Sequence, residues 1–142
     1  MPHWLRTRAP YITLAAATIT IGLAVQWRGA QLGQAARDVL GDALWAVMMT
    51  WWVATLAPAV RITVRAAVAL AIAFAVETSQ LYHTPALDAL RATTAGHLVH
   101  GSGFDPRDLV AYTLGVLAAA LLDRLAVRPN AETSRVSLRE GV

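Results

Sequence analysis

Residues 64–82, with the sequence VRAAVALAIAFAVETSQLY, decide how this chain is organised. The uncharged stretch 66–76 would extend only about 16 Å as a helix, which is too short for the roughly 30 Å hydrocarbon core of a bilayer. If the helix continues through Glu77 to Tyr82, it reaches about 25 Å, and Arg65 is expected to snorkel to the nearer interface. A helix that spans the membrane here therefore has to bury Glu77.

Three further apolar segments accompany this one. The first carries no charge over residues 9–27 and is longer than the apolar region of a cleaved signal peptide, so we interpret it as a spanning helix. The last segment is short, and it spans only if Tyr112 lies near one interface and the adjacent Asp123 and Arg124 lie together near the other. The predicted helices cover residues 9–27, 42–58, 64–82 and 106–127.

The predicted fold is therefore all-α, an integral membrane four-helix bundle with a short amphipathic or re-entrant loop between helices 3 and 4. Residues 1–128 are expected to form one transmembrane domain, and residues 129–142 a polar cytoplasmic tail. Small residues, mainly alanine, recur along the apolar segments and would allow the helices to approach closely.

Composition supports a membrane protein and limits its chemistry. The chain is 56% hydrophobic and only 15% charged, and its formal net charge is +3. The twelve basic residues are all arginine and stand singly or in pairs beside apolar runs, which favours membrane lipids as partners and argues against nucleic acid. Because there is no cysteine, disulfides, thiol nucleophiles and thiolate metal sites are excluded. No cofactor is predicted, and a homo-oligomer is possible.

The distribution of arginine predicts the orientation. With four spans, eight arginines lie on the side of the two termini and four on the opposite side. The positive-inside rule then places the N- and C-termini in the cytoplasm of a cell whose membrane the chain crosses several times.

Polar residues converge at the end of the bundle away from the termini. Asp42 is expected to open the second helix there and Asp108 the fourth, while Glu77 and Gln80 share one face of the third. Each Asp has an alternative interpretation as a helix cap or first-turn acid, with Asp105 as the N-cap before Pro106. The predicted binding residues of this site are Asp42, Glu77, Gln80, Arg91, Asp108 and Tyr112.

The loop before the fourth helix is long and has two parts. Residues 84–91 predict a short surface helix with Pro85 in its first turn. Arg91 at its end is a candidate counter-charge for Glu77, or else an exposed surface arginine. The glycine-rich part that follows carries His97 and His100, which together are too few ligands to predict a metal site, even beside Glu77, Asp42 or His83.

Four short motifs resemble a known family. The motifs are GDALWA at 41–46, ETSQ at 77–80 with Arg91 downstream, GSGF at 101–104 and DLVAYTLG at 108–115. They resemble the small bacterial membrane proteins of the domain-of-unknown-function family 2809, over residues 11–122. More distantly, the Glu, Gln, Arg and Asp pattern is similar to the VanZ-like proteins, which are associated with glycopeptide-antibiotic tolerance and the cell envelope. The resemblance implies a four-helix fold and groups the six predicted binding residues in one site.

Three functions are compatible with these residues. The first is a cell-envelope protein that binds a lipid head group or amphiphile near the outer leaflet, with Arg91 contacting its anionic groups. The second is an enzyme that acts on a lipid-linked substrate with Glu77 as general base. No nucleophile or phosphate loop of familiar spacing accompanies Glu77, so the sequence leaves catalysis undecided. The third is a structural subunit or a component of a transporter.

Overall fold

The helices account for nearly all of the part of the chain that the structure describes. A computed structural model describes residues 3–93 and 104–127, and in these ranges it contains five α-helices and no strand. A 3₁₀ turn at Gly29–Leu32 follows the first helix, and a π-helical turn at Asp123–Val127 continues the last. The helices are α1 (His3–Arg28), α2 (Gln34–Leu56), α3 (Ile62–Ser79), α4 (Pro85–Arg91) and α5 (Pro106–Leu122).

Four of these helices are long and apolar enough to cross a membrane. The candidate spans are Trp4–Arg28, Gln34–Leu56, Ile62–Ser79 and Pro106–Ala126. The predicted all-α four-helix membrane fold is therefore confirmed, and the chain is a multi-pass membrane protein. The short helix α4 lies between α3 and α5, where the sequence predicts it.

The packing has small side chains inside and large ones outside. Helix α2 lies at the centre and forms its largest interfaces with α1 and α5, while α3 packs against α2 and α5. Alanines fill much of the interior, whereas many leucines, isoleucines and valines are exposed on the outer surface. Lipid tails solvate large apolar side chains as well as a protein interior does, so small residues are favoured where helices meet. The buried alanines are Ala15, Ala46, Ala54, Ala69, Ala73, Ala111 and Ala119.

Gly115 permits a close approach between α2 and α5. A Cβ atom at this position would overlap the Ala43 carbonyl oxygen and would lie 3.2 Å from the Ala43 Cα. Only a residue without a side chain lets the two backbones meet here. The contact fixes the depth of α5 against the half of α2 that carries Asp42.

The observed start of α2 corrects one expectation. Gly33 has φ of +77°, a left-handed conformation that suits glycine, and α2 begins immediately after it at Gln34. Asp42 therefore lies more than two turns inside the helix, and both the prediction that it opens the helix and the alternative that it caps it are wrong. At the start of α5, by contrast, Asp105 is the N-cap as predicted, and its side chain accepts a hydrogen bond from the Arg107 backbone N–H.

The two ends of the bundle differ in charge. The C-terminal ends of α1 and α3 meet the N-terminal ends of α2 and α5 at what we call the acidic end, which includes Asp42, Glu77 and Asp108. The opposite ends of the same helices form the basic end, which includes Arg61, Arg65, Asp123 and Arg124. By this topology six of the seven acidic residues that the structure describes belong to the acidic end, and five of the nine arginines that it describes belong to the basic end.

Candidate functional site

Glu77 is the centre of the polar site at the acidic end. It lies in the last turn of α3, is fully buried, and accepts three hydrogen bonds. Its Oε2 accepts from Gln80 Nε2 at 2.9 Å and from the Tyr112 hydroxyl at 3.2 Å. Its Oε1 accepts from the Asp105 backbone N–H at 2.8 Å. Three donors from two helices and a helix cap thus satisfy a carboxyl group that lipid alone would leave unsolvated.

These bonds attach the beginning of α5 to the end of α3. Asp105 uses its backbone N–H for Glu77 and its side chain for the Arg107 N–H at 2.9 Å. Two turns deeper in α5, Tyr112 is buried, and its ring lies 5.5 Å from that of Trp45 in α2. The Tyr112 hydroxyl is therefore directed to Glu77 by packing from a third helix.

Asp42 and Asp108 bring a second pair of carboxyl groups together beside Glu77. Asp42 lies in the third turn of α2, and Asp108 lies in the first turn of α5. Their side chains lie close enough to interact with each other, and Asp38 and Glu77 add further negative charge around them. Two carboxyl groups this close repel each other when both are ionised, unless a proton or a bound cation lies between them. Both are only half-buried, so this pair is the accessible part of the site.

Gln80 completes the floor of the site and has one free polar atom. It is buried at the C-terminal end of α3, and its amide nitrogen donates a hydrogen bond to Glu77. Its Oε1 is buried and has no hydrogen-bond partner in the described part of the chain. A buried acceptor left without a partner costs free energy, so this oxygen favours a donor from water or from a ligand.

The structure thus brings together five of the six predicted binding residues, namely Asp42, Glu77, Gln80, Asp108 and Tyr112. The backbone of Arg91 ends α4, but its side chain lies outside the described residues, so the pairing of Glu77 with Arg91 stays a prediction. His97, His100, the glycine-rich part of the loop and the tail 129–142 also lie outside them. Within residues 3–93 and 104–127, no three His, Cys, Asp or Glu side chains are grouped as metal ligands.

A second polar cluster, at the basic end, was not predicted. Arg65 and Asp123 form a buried ion pair between α3 and the end of α5, with residue exposures of 1% and 2%. The Tyr11 hydroxyl in α1 donates to Asp123 Oδ1 at 3.0 Å, and the Arg65 guanidinium lies over the Tyr11 ring, 5.1 Å from its centroid. The cluster connects three helices.

This cluster corrects two expectations. Arg65 does not snorkel to the interface, because it points into the bundle and is neutralised there by Asp123. Asp123 and Arg124 do not lie together at the interface, since adjacent helical residues point in directions about 100° apart, and Asp123 is buried whereas Arg124 is exposed. The signal available in the sequence was the topology itself, which brings residue 65 and residue 123 to the same end of the bundle.

The described side chains of the acidic end limit the chemistry that it could support. Its described groups are carboxyl, amide and phenol groups, which can bind an ammonium group, accept hydrogen bonds or move a proton. The buried residues Ala46, Ala69, Ala73 and Val116 form an apolar layer toward the middle of the bundle, between this site and the Arg65 cluster. In the described part of the chain the two polar clusters are therefore separate.

Comparison with known proteins agrees with the motifs in the sequence. No solved structure matches the chain. Residues 32–116 match the family described as "protein of unknown function (DUF2809)", and this match includes all six predicted binding residues. The matched region covers more than half of the chain and extends from the start of α2 into α5. The chain therefore belongs to the DUF2809 family.

Proposed function

We propose that this protein binds an amphiphile with an amine-bearing head group at the acidic end of the bundle. The observation that carries the proposal is the proximity of Asp42 and Asp108, two half-buried carboxyl groups from helices that meet closely at Ala43 and Gly115. An ammonium group placed between them would replace the proton that they otherwise have to share, and it would donate a charge-assisted hydrogen bond to each.

The buried residues beneath this pair support a binding role. Glu77, Gln80 and Tyr112 are held by packing and hydrogen bonds, so they form a preorganised floor. The free Gln80 Oε1 would accept one further hydrogen bond from the ligand or from a water molecule. The site lies at the end of spanning helices, a position that the head group of a lipid can reach from the membrane interface.

Arg91 extends the proposal to a zwitterionic head group. Helix α4 ends at Arg91, and α4 follows directly on α3, whose last turn carries Glu77. A phosphate contacted by Arg91 and an amine contacted by Asp42 and Asp108 would together match an ethanolamine phosphate head group. This arrangement keeps the predicted role of Arg91 as a contact to anionic groups.

A general-base role for Glu77 fits the geometry less well. A general base has to be within about 2.6–3.2 Å of the proton that it removes. Both oxygens of Glu77 already accept hydrogen bonds, and the side chain is fully buried. A substrate would have to displace Tyr112 or Gln80 first, so binding is the function that we propose.

The test compares lipids that differ only in the head group. We expect the purified protein in nanodiscs of phosphatidylcholine to retain added phosphatidylethanolamine, because a quaternary ammonium cannot donate hydrogen bonds to Asp42 and Asp108. Asp42→Asn and Asp108→Asn should each weaken this preference about tenfold, from the loss of one charge-assisted hydrogen bond. Asp88→Asn, an exposed acid of α4, is the matched control and should leave the preference unchanged. Equal retention of the two lipids by the unmodified protein would refute the proposal.

We also propose that the acidic end faces the outside of the cell and that both termini are cytoplasmic, as the arginine distribution predicts. The chain has no cysteine, so single cysteines report on accessibility without a background. His83→Cys near the acidic end should react with a membrane-impermeant maleimide in intact cells, whereas Arg61→Cys should react only after permeabilisation. Both residues are exposed, so the opposite labelling pattern would mean the opposite orientation.

A further inference from the structure

A groove runs between α3 and α5 near the basic end, on the surface that faces the membrane. Its volume is about 320 Å³, within the roughly 300–1,000 Å³ range of ligand-binding clefts. Ala66 in α3 and Ala120 in α5 line it, and their short side chains leave room between the helices. Thr63 and Arg124 are the polar residues among its walls. The groove is thus apolar along its length and polar where the helices end.

The charge of Arg124 is not neutralised by its neighbour. Asp123 is buried and bound to Arg65 and Tyr11, so it faces away from the groove. Arg124 is exposed, and within the described residues it has neither an ion pair nor a hydrogen-bonded partner. The pairing inside the bundle therefore leaves one full positive charge at the polar end of the groove.

The beginning of α3 adds to the attraction for an anion at the same place. Its N-cap residue, Arg61, makes no side-chain cap to the first turn, and Thr63 presents an exposed side chain there. The first-turn backbone N–H groups of an 18-residue helix carry a partial positive charge that favours an anion. Arg61 is itself exposed and contributes another positive charge.

We propose that this groove binds an anionic phospholipid, with one acyl chain lying between α3 and α5 and the phosphate held by Arg124 and the start of α3. Charge complementarity selects the occupant, since Arg61 and Arg124 are exposed here and five of the nine arginines that the structure describes belong to this end of the bundle. Basic pockets between transmembrane helices are a known way to recognise anionic head groups. This site is separate from the acidic end. It requires an anionic head group, whereas the acidic end is proposed to bind an amine.

The experiment measures retained lipid by native mass spectrometry of the full chain in detergent micelles. The probes are phosphatidylglycerol and phosphatidylcholine with identical acyl chains. We expect phosphatidylglycerol to be retained about tenfold better, and R124Q to remove that preference, because one charge-assisted contact is worth about tenfold in affinity. The matched control is R107Q, which removes an exposed arginine at the acidic end and should behave as the unmodified protein.

A second variant and a second probe distinguish a phospholipid groove from a site for free phosphate and from a bundle that has lost its packing. A120F fills the groove without changing charge and should reduce retention of both lipids, while helix content by circular dichroism shows that the bundle is intact. Inorganic phosphate should not displace phosphatidylglycerol, because it lacks the acyl chain. The proposal is overturned if R124Q keeps the preference, if R107Q loses it equally, or if inorganic phosphate competes. None of these outcomes involves Asp42 or Asp108, so the proposed function at the acidic end stands or falls independently.

Discussion

Replacing Asp123 by asparagine tests the buried ion pair at the basic end. Asparagine keeps the size of the side chain and an oxygen that can accept from the Tyr11 hydroxyl, so the change removes mainly the negative charge. Arg65 would then be an uncompensated charge whose side chain is only 2% exposed. Removing one member of a buried pair costs about 3–5 kcal/mol. We expect Asp123→Asn to shift the unfolding equilibrium by a factor of about a hundred to several thousand.

The surroundings of Arg65 explain why this loss should be large. The Nε and Nη1 atoms of Arg65 are buried and have no hydrogen-bond partner in the described residues, so Asp123 supplies its carboxylate acceptor. The Tyr11 ring would remain under the guanidinium, but a cation–π contact is worth only about 0.5–2 kcal/mol. The ring therefore replaces only part of the stabilisation that Arg65 loses with the Asp123 charge.

A double-mutant cycle isolates the pair. Arg65→Met removes the positive charge and keeps much of the length, so Arg65→Met combined with Asp123→Asn should be more stable than Asp123→Asn alone. Unfolding free energies can be measured by titrating detergent-solubilised protein with sodium dodecyl sulfate and following tryptophan fluorescence. Asp88→Asn, which changes an exposed acid, should have little effect. A loss of less than about 1 kcal/mol for Asp123→Asn, or strictly additive losses in the cycle, would refute the argument, because these are the values of an exposed pair.

Two further predictions concern the acidic half of the bundle. Gly115→Ala should destabilise the protein by about 1–3 kcal/mol, because the new Cβ overlaps the Ala43 carbonyl. Gly41→Ala is the control and should be neutral or slightly stabilising, because its Cβ would meet nothing within 4 Å. Equal effects of the two changes in the same detergent titration would contradict the close contact. Glu77→Gln and Arg91→Gln should each destabilise, and the double variant should recover part of the loss if the two charges interact. Additive losses would remove Arg91 from the site.

The burial of Glu77 could be predicted because the uncharged run before it is too short to span the membrane without it. A helix that had to span the membrane could not avoid residue 77, and a buried carboxyl needs donors. The order of helices also brought Asp42, Asp108 and Tyr112 to the same end, and the structure puts these side chains beside Glu77. The cap of α5 was predictable for a different reason, since Asp followed by Pro is a strong local signal that needs no tertiary information.

The partners within each cluster were harder to predict. Which of two adjacent residues faces the interior depends on the rotation of the helix, and for Asp123 and Arg124 the apolar pattern at the end of α5 did not fix it. The start of α2 was missed because apolar runs mark the membrane core and not the ends of the helix. Residues 34–41 continue α2 beyond the apolar run, and Gly33 is the signal that marks their beginning.

The three hydrogen bonds of Glu77 also have a consequence for how the chain enters the membrane during synthesis. Gln80 arrives with the same helix, but the Asp105 N–H and the Tyr112 hydroxyl follow 28 and 35 residues later. At a translation rate of roughly 5–20 residues per second, this delay amounts to about 2–7 s. During that interval α3 carries, in its last turn, a carboxyl group that lacks two of its three donors, and an unsatisfied acid within a spanning helix opposes insertion. We therefore expect α3 to leave the translocation channel together with α5, as a helical pair, and not as a single segment.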